Sequence, residues 1–227
     1  MTIILAIETS TDLASVALLS NQRIFSRDLA GVQTHSFGLL PAVQDLMLEA
    51  CVCLDDINAI AFGCGPGAFT GVRTTCGVVQ GLAFGLQIPV LPVVSLLSMA
   101  ALARDANSWC DVVCCLDARM NEVYWAHYRL SEFDWVEVVA PRLSDFDAAL
   151  TYAAQMQLNI VVGKGLEMPG AIGVNHMIAM PHARSVLQIS EHSLRQGLGV
   201  DADQAQPLYL RNKIALTTAE RQLAREA

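Results

Sequence analysis

Ile3-Ile4-Leu5-Ala6-Ile7-Glu8-Thr9-Ser10-Thr11-Asp12 runs from five apolar residues straight into five polar ones, the pattern of a strand covered on both faces that ends in a turn. Residues 14–19 and 23–29 read as two more strands hinged at Asn21-Gln22, which makes an antiparallel meander. In residues 36–50 the period changes. Leu39, Leu40, Val43, Leu46, Met47 and Ala50 recur at helical spacing, with Pro41 requiring a start nearby or a missing hydrogen bond. Phe37 and Leu48 fall off that stripe, so this helix is apolar on more than one side. There follow a strand over 59–63, the loop Gly65-Pro66-Gly67-Ala68-Phe69-Thr70-Gly71, a helix to Leu86, a strand over 88–94, and a helix to Arg104 with Ser95 as its expected N-cap.

A polar seam at 105–108 interrupts the chain, and the pattern then restarts. Residues 111–116 suit a buried strand, 122–130 alternate across a hairpin, and 135–139 supply a third strand. Ser144 is the expected cap of a helix to Gln157, and a strand over 160–162 ends in the turn Gly163-Lys164-Gly165. Three strands, a helix, a strand and a glycine turn thus occur twice without sequence identity. That repeat predicts an α/β protein of two similar lobes, residues 1–105 and 106–227, each a mixed sheet with flanking helices. A last helix near 185–197, free to pack back on the first lobe, precedes an irregular tail at 206–211.

The chain has 227 residues, 53% apolar and 16% charged, with a formal charge of −8 and a mean hydropathy of +0.41. Such a chain is too apolar to be disordered. The longest uncharged stretch, residues 74–103, is divided by Gln80, Gln87, Pro89 and Pro92, so no lipid-facing helix of about 20 residues remains and no membrane association is expected. Met1-Thr2-Ile3 offers no basic leader, and a cytoplasmic location is expected. Seven cysteines without a C-x-x-C pair give neither a disulfide framework nor a zinc knuckle, and most read as small buried residues. Lys164 and Lys213 are the only lysines, so no basic stripe exists to neutralise phosphates, and any contact with nucleic acid is expected to be indirect.

The turn Glu8-Thr9-Ser10-Thr11-Asp12 stands where α/β proteins often bind phosphate or metal, but it has no glycine for close backbone approach. The 65–71 loop leads into a helix N-terminus that suits an anion, without the Lys-Ser or Lys-Thr of a Walker A loop. Within that helix Gly77, Gly81 and Gly85 fall at i, i+4 and i+8 and continue the line of Thr70 and Thr74. Three interior glycines give up about 2 kcal/mol of helix propensity along one face, which requires that something approach the backbone closely. The protein's own sheet is one such neighbour; a helix of another chain is the second. Arg73 is the only charged side chain between residues 57 and 103, which favours the second. His35, His127, His176, His182 and His192 form neither H-x-x-x-H nor H-E-x-x-H, and no G-x-S-x-G elbow is present. Asp117, Arg119 and Glu122 read first as a hairpin turn with a local ion pair.

Ala6-Ile7-Glu8-Thr9-Ser10-Thr11, His35-Ser36 with Leu39-Leu40-Pro41, Gly65-Pro66-Gly67-Ala68-Phe69-Thr70-Gly71-Val72-Arg73, Leu116-Asp117-Ala118-Arg119 with Glu122-Val123-Tyr124, and Pro207-Leu208-Tyr209-Leu210-Arg211 occur in this order. Together they resemble the TsaB (YeaZ) family of bacterial proteins for threonylcarbamoyladenosine synthesis in tRNA, over nearly the whole chain. The resemblance implies the two-lobed fold of the actin-like, sugar-kinase and Hsp70 ATPases, which is ribonuclease H-like in each lobe. It implies a non-catalytic paralogue that pairs with TsaD, the threonylcarbamoyl-transferring subunit, lets the ATPase TsaE join, and homodimerises when alone. By the same resemblance the docking helices map to residues 35–50 and 69–86, with His35, Leu39, Leu40, Val43, Met47, Phe69, Arg73, Cys76, Gly77 and Gly81 as interface candidates. Glu8, Thr9, Gly65 and Gly67 would be remnants of a nucleotide site, with no intrinsic cofactor or metal and with ATP or ADP entering only in the complex. Ala68 departs from the family, where Ser is usual, and Cys76-Gly77 replaces a more aliphatic pattern. The alternatives are an ATPase or small-molecule kinase of the same fold acting through Glu8, Asp12 and the glycine loops, and a metalloprotease, which the absent histidine pair disfavours.

Overall fold

The computed structural model describes residues 2–30, 34–132, 134–170 and 173–211. β1 (Ile4–Glu8), β2 (Leu13–Ser20), β3 (Arg23–Ala30), β4 (Ala59–Gly65) and β5 (Val90–Val94) form one sheet in the order β3-β2-β1-β4-β5. β1 lies antiparallel to β2 and parallel to β4, so it is central and all five of its residues are buried. β6 (Asp111–Arg119), β7 (Glu122–Ser131), β8 (Asp134–Asp145), β9 (Asn159–Val162) and β10 (His176–Ile178) form a second sheet, β10-β9-β6-β7-β8, the same order of the same five strands. This duplicated mixed sheet, an antiparallel meander continued by two parallel strands, gives the two similar α/β lobes, each a mixed sheet with flanking helices, that the repeat in the sequence predicts.

α1 (Thr34–Ala50) and α2 (Phe69–Leu86) cover one face of the first sheet, where Leu39, Val43, Leu46, Val72, Cys76 and Val79 meet Leu5, Ile7, Val16 and Phe62. Pro41 sits inside α1 on its exposed side and leaves the Phe37 carbonyl without its helical donor. The opposite face presents Ile4, Ala6, Ala17, Ala59 and Ala61, small enough for α5 (Ala183–Arg195) to lie close through Ala183, Val186 and Leu187. Thus a helix from near the end of the described chain completes the first lobe. α3 (Ser95–Asn107), which the sequence places in the first lobe, packs Leu96, Met99, Ala100 and Ala103 on Val112, Cys114 and Leu116 of the second sheet. α4 (Phe146–Gln155) covers that sheet's other face. Among the described residues no helix is long and apolar enough to cross a membrane.

Both caps expected from the sequence are displaced by one residue. Val94, without a side-chain bond, caps α3, because the Ser95 hydroxyl is drawn to the buried Glu8 carboxylate, 3.0 Å away. Asp145 rather than Ser144 caps α4 and accepts from the Ala148 amide at 2.7 Å, while Ser144 Oγ accepts from the Trp125 indole. β10 has no counterpart in the sequence reading; three residues, two of them exposed, carry no alternation to detect. Of the seven cysteines, all free, Cys64, Cys76, Cys114 and Cys115 are buried, whereas Cys51, Cys53 and Cys110 are exposed.

Candidate functional site

Two features singled out by sequence, the turn after β1 and the glycine loop before α2, are bonded to each other. Thr9 Oγ1 donates to the Gly71 carbonyl at 2.7 Å and pairs with Thr75 Oγ1 at 2.5 Å, and the Ala68 amide donates to the Ser10 carbonyl at 2.6 Å. A Cβ at residue 67 or 71 would overlap the backbone of Ser10 or Thr9, so glycine is required at both positions for this contact. Glu8 is fully buried. Its carboxylate lies over Gly63, where a Cβ would overlap it, and accepts from the Ser10 amide at 2.5 Å and from Ser95 Oγ. Burial raises the Glu8 pKa, against the opposing pull of the Ser10 and Ser95 hydrogen bonds and of His182. Glu8, Thr9 and Gly67 are therefore drawn together around Ser10, whereas the nearest neighbours of Gly65 are the Leu208 carbonyl and Val72, so the close approaches are made inside the chain.

The second candidate is the outward face of α1 and α2. Among the described residues nothing lies within 4 Å of a Cβ built on Gly77, Gly81 or Gly85, so packing within the described part of the chain does not account for the glycine stripe. Phe84, one helical turn beyond Gly81, is 73% exposed, and on α1 Phe37 is 85% and Leu48 77% exposed, with Leu40 beside them at 45%. These are large apolar side chains exposed to water; Phe84 lies in the stretch 57–103 whose one charge is Arg73, whereas α1 also carries Asp45 and Glu49. Arg73 closes the face at the start of α2. Its guanidinium stacks 3.6 Å from the Phe69 ring centroid, and Nε donates to Tyr209 Oη at 2.5 Å.

The sequence-predicted interface residues divide. Leu40, Phe69, Arg73, Gly77 and Gly81 face outward, and Met47 is half-buried against the core. Leu39, Val43 and Cys76 are corrected: they are buried in the first-lobe core and are not available at the surface. The side chain of His35 lies outside the described residues. A helix apolar on two sides does not declare which side is inward, and this is why Leu39 and Val43 were grouped with Leu40. Phe84 and Tyr209 were missed. Phe84 carries a signal, three residues after Gly81, but Tyr209 reaches the site from a tail more than a hundred residues away.

That tail links the lobes. The Leu208 amide donates to the Cys64 carbonyl at 2.7 Å, while Arg211 bonds the Ala118 and Arg119 carbonyls and the Glu122 carboxylate at 2.7 Å. A cleft of about 250 Å³ lies behind it, lined by Phe69, Val72, Met120, Tyr124, Leu208 and Tyr209 among others. Asp117 and Arg119 form the local ion pair expected of a hairpin turn, at 3.2 Å. In the second lobe the buried His127 bonds Asp111 through Nε2 at 2.5 Å and Tyr152 Oη through Nδ1 at 2.9 Å. Among the described residues no group of three or more His, Cys, Asp or Glu is placed to hold a metal ion.

Comparison with known proteins matches both the fold and the motifs. A family model for TsaD, described as tRNA N6-adenosine threonylcarbamoyltransferase, matches residues 20–175. The chain is 35% identical over 224 residues to the tRNA threonylcarbamoyladenosine biosynthesis protein TsaB of Escherichia coli strain K12, covering 93% of this chain and 96% of that one. Against the protein of the same name from Haemophilus influenzae it is 33% identical, covering 93% and 94%. YeaZ from Pseudomonas aeruginosa superposes with a TM-score of 0.82 at 39% identity, over 92% of this chain and 100% of that one. The likeness spans both lobes, and the chain belongs to the TsaB (YeaZ) family of tRNA threonylcarbamoyladenosine biosynthesis proteins.

Proposed function

We propose that this protein is a cytoplasmic, non-catalytic subunit that docks on a TsaD-type transferase through the outward face of α1 and α2 and holds it in a competent conformation for threonylcarbamoylation of tRNA. The observation that carries this reading is the open glycine stripe: among the described residues nothing stands within 4 Å of a Cβ at Gly77, Gly81 or Gly85, beside an exposed Phe84. Glycines at i, i+4 and i+8 let a second helix approach the α2 backbone closely, and the surrounding aromatic and aliphatic side chains supply the apolar area that stabilises the contact. Activation of this kind is a population shift, and it requires that the face bind the active state of the partner more tightly than the inactive one. TsaE would then join the pair, with ATP or ADP belonging to the complex and tRNA contacted chiefly by the partner. Alone, the same face would bury itself against a second copy.

A nucleotide-binding enzyme is less well supported, because the Glu8–Thr9–Ser10 turn and the glycine loop make their close contacts with each other. Gel filtration with light scattering, on this protein alone and then mixed with TsaD at two salt concentrations, tests the proposal. The expected result is a homodimer that exchanges into a salt-resistant heterodimer. A monomer that ignores TsaD would remove the docking reading and make stoichiometric ATP binding, sensitive to Glu8→Ala, the next measurement.

A further inference from the structure

The C-terminal end of α1, the turn between β2 and β3 and the 3₁₀ turn Leu54–Asp56 enclose an open cleft of about 510 Å³. The only charged side chains on its wall are two acids, Asp55 and Asp56. Asp56 Oδ2 accepts from the Cys53 amide at 2.8 Å, which fixes that carboxylate and leaves Oδ1 over. The Asp55 carboxylate has no partner among the described residues. α1 ends at this cleft without a basic residue in its last turn, so the negative end of its dipole adds to the same field. Arg23 is close in sequence but is not on the wall, and its guanidinium stacks 5.4 Å from the Phe25 centroid. The cleft is thus electronegative and holds no cation of its own among the described residues.

A second, independent observation points to a ligand. Ser20 borders the same cleft and is 2% exposed, yet its Oγ meets no hydrogen-bond partner among the described residues. A buried hydroxyl left unmet costs about 1–3 kcal/mol, and a donor entering the cleft would offset that loss. Beside these oxygens the half-buried Ile3, Ala50 and Val52 form an apolar strip. Two carboxylates do not make a metal centre, since no group of three or more ligating side chains is gathered among the described residues. Negative charge, a waiting oxygen and an apolar strip together suit a cation that carries both N–H donors and a hydrocarbon stem.

We propose that this cleft binds a primary alkylammonium group, whose N–H donors meet Asp55, Asp56 Oδ1 and Ser20 Oγ while its methylene chain lies along Ile3 and Val52. A free linear polyamine and a lysine side chain share that chemistry. The inference is independent of the docking reading.

The test titrates the isotope-labelled full chain with spermidine and, separately, with N-acetyl-lysine amide, read from backbone amide resonances at low and high salt. Tetramethylammonium and magnesium ion are the controls. Saturable shifts are expected at residues 20–22 and 50–58, weaker at high salt, with none from tetramethylammonium, a cation that has no N–H to donate. Asp55→Asn with Asp56→Asn, which keeps an acceptor for the Cys53 amide, should weaken binding about tenfold or more. Should that double variant melt early, Asp55→Asn alone carries the decision, because its carboxylate has no partner to lose among the described residues. Ser20→Ala should weaken binding about twofold to tenfold without lowering the melting temperature of the free protein; a merely structural Ser20 would do the reverse. A response to spermidine alone assigns the site to a free polyamine, and a response to the lysine derivative assigns it to a lysine side chain; either supports the proposal. Equal shifts from tetramethylammonium, unchanged affinity in the asparagine variants, or shifts scattered over the surface of a chain of charge −8 would overturn it. No response to either amine, with or without one to magnesium, would overturn it as well.

Discussion

Thr9 and Gly71 hold each other across the first lobe: Thr9 Oγ1 donates to the Gly71 carbonyl at 2.7 Å, and the Thr9 carbonyl stands where a Cβ on residue 71 would be. A strand-end turn facing a glycine loop at a helix N-terminus is elsewhere a phosphate cradle. Here the two backbones contact each other, and the consequence is mechanical. The loop fixes where α2 begins and therefore how its outward face is presented.

Gly71→Ala should accordingly be costly. The added methyl meets backbone rather than a side chain that can rotate away, so the turn and the helix start must separate and the Thr9 bond to residue 71 is lost. Destabilisation of about 2–4 kcal/mol is expected, of the kind caused by overpacking together with a broken buried hydrogen bond. Thermal melting followed by circular dichroism measures it. A wild-type melting curve would show that the approach is looser than the geometry describes.

Gly81→Ala, ten residues further along the same helix, should do the reverse. Its Cβ meets nothing within 4 Å among the described residues, so only the backbone term remains, and alanine in a helix interior is more favourable than glycine by about 0.5–1 kcal/mol. The isolated protein should melt higher while its affinity for TsaD falls, because the methyl occupies the space a docked helix would use. Melting and binding that moved in the same direction would mean that the stripe is not the contact.

The same contrast explains what the sequence could and could not reveal. The two lobes were legible because strand runs, hinge residues and glycine turns are local signals, and they recur in the same order. The face of a sheet that a helix covers is not local. α3 looks like part of the first lobe until Leu96 and Met99 are seen against the second sheet, and the return of α5 to Ala6 and Ala61 depends on small residues far away in sequence. The glycine stripe marked a close approach but gave no direction. Ser95 looked like a cap because Glu8, the acceptor that takes its hydroxyl, is 87 residues distant.

Glu8→Gln tests the buried carboxyl. Its folded-state pKa is raised, chiefly by desolvation. A raised acid contributes its full stability below its unfolded-state value, about 4.3, and that contribution is lost as pH rises through the folded value. In wild type this group therefore weakens the fold toward neutral and alkaline pH. Glutamine still accepts from the Ser10 amide and can meet Ser95 without charge, so Glu8→Gln should remove that decline and melt above wild type at pH 8. At pH 4 the difference should narrow. Equal melting curves at both pH values would place the carboxyl in better solvation than its full burial implies.

Arg211 concerns the tie between the lobes. Leu208 bonds the first lobe at the Cys64 carbonyl, and three residues later Arg211 bonds the second at two carbonyls and at Glu122, with 16% of the Arg211 side chain and 36% of the Glu122 side chain exposed. The partial exposure screens the ion pair, so Arg211→Ala should lose only about 1–2 kcal/mol. The informative readout is local. Amides of the turn at 119–122 and of the tail at 208–211 should exchange hydrogen faster in Arg211→Ala, while those of β1 and β4 keep wild-type protection. Because the Tyr209 hydroxyl accepts from Arg73, loosening the tail should also free the guanidinium on the docking face. Arg211→Ala is thus expected to weaken TsaD binding modestly without touching α1 or α2. Unchanged exchange in the tail would mean that Leu208 and Tyr209 hold it by themselves, and that the two lobes are joined through α3 and α5 alone.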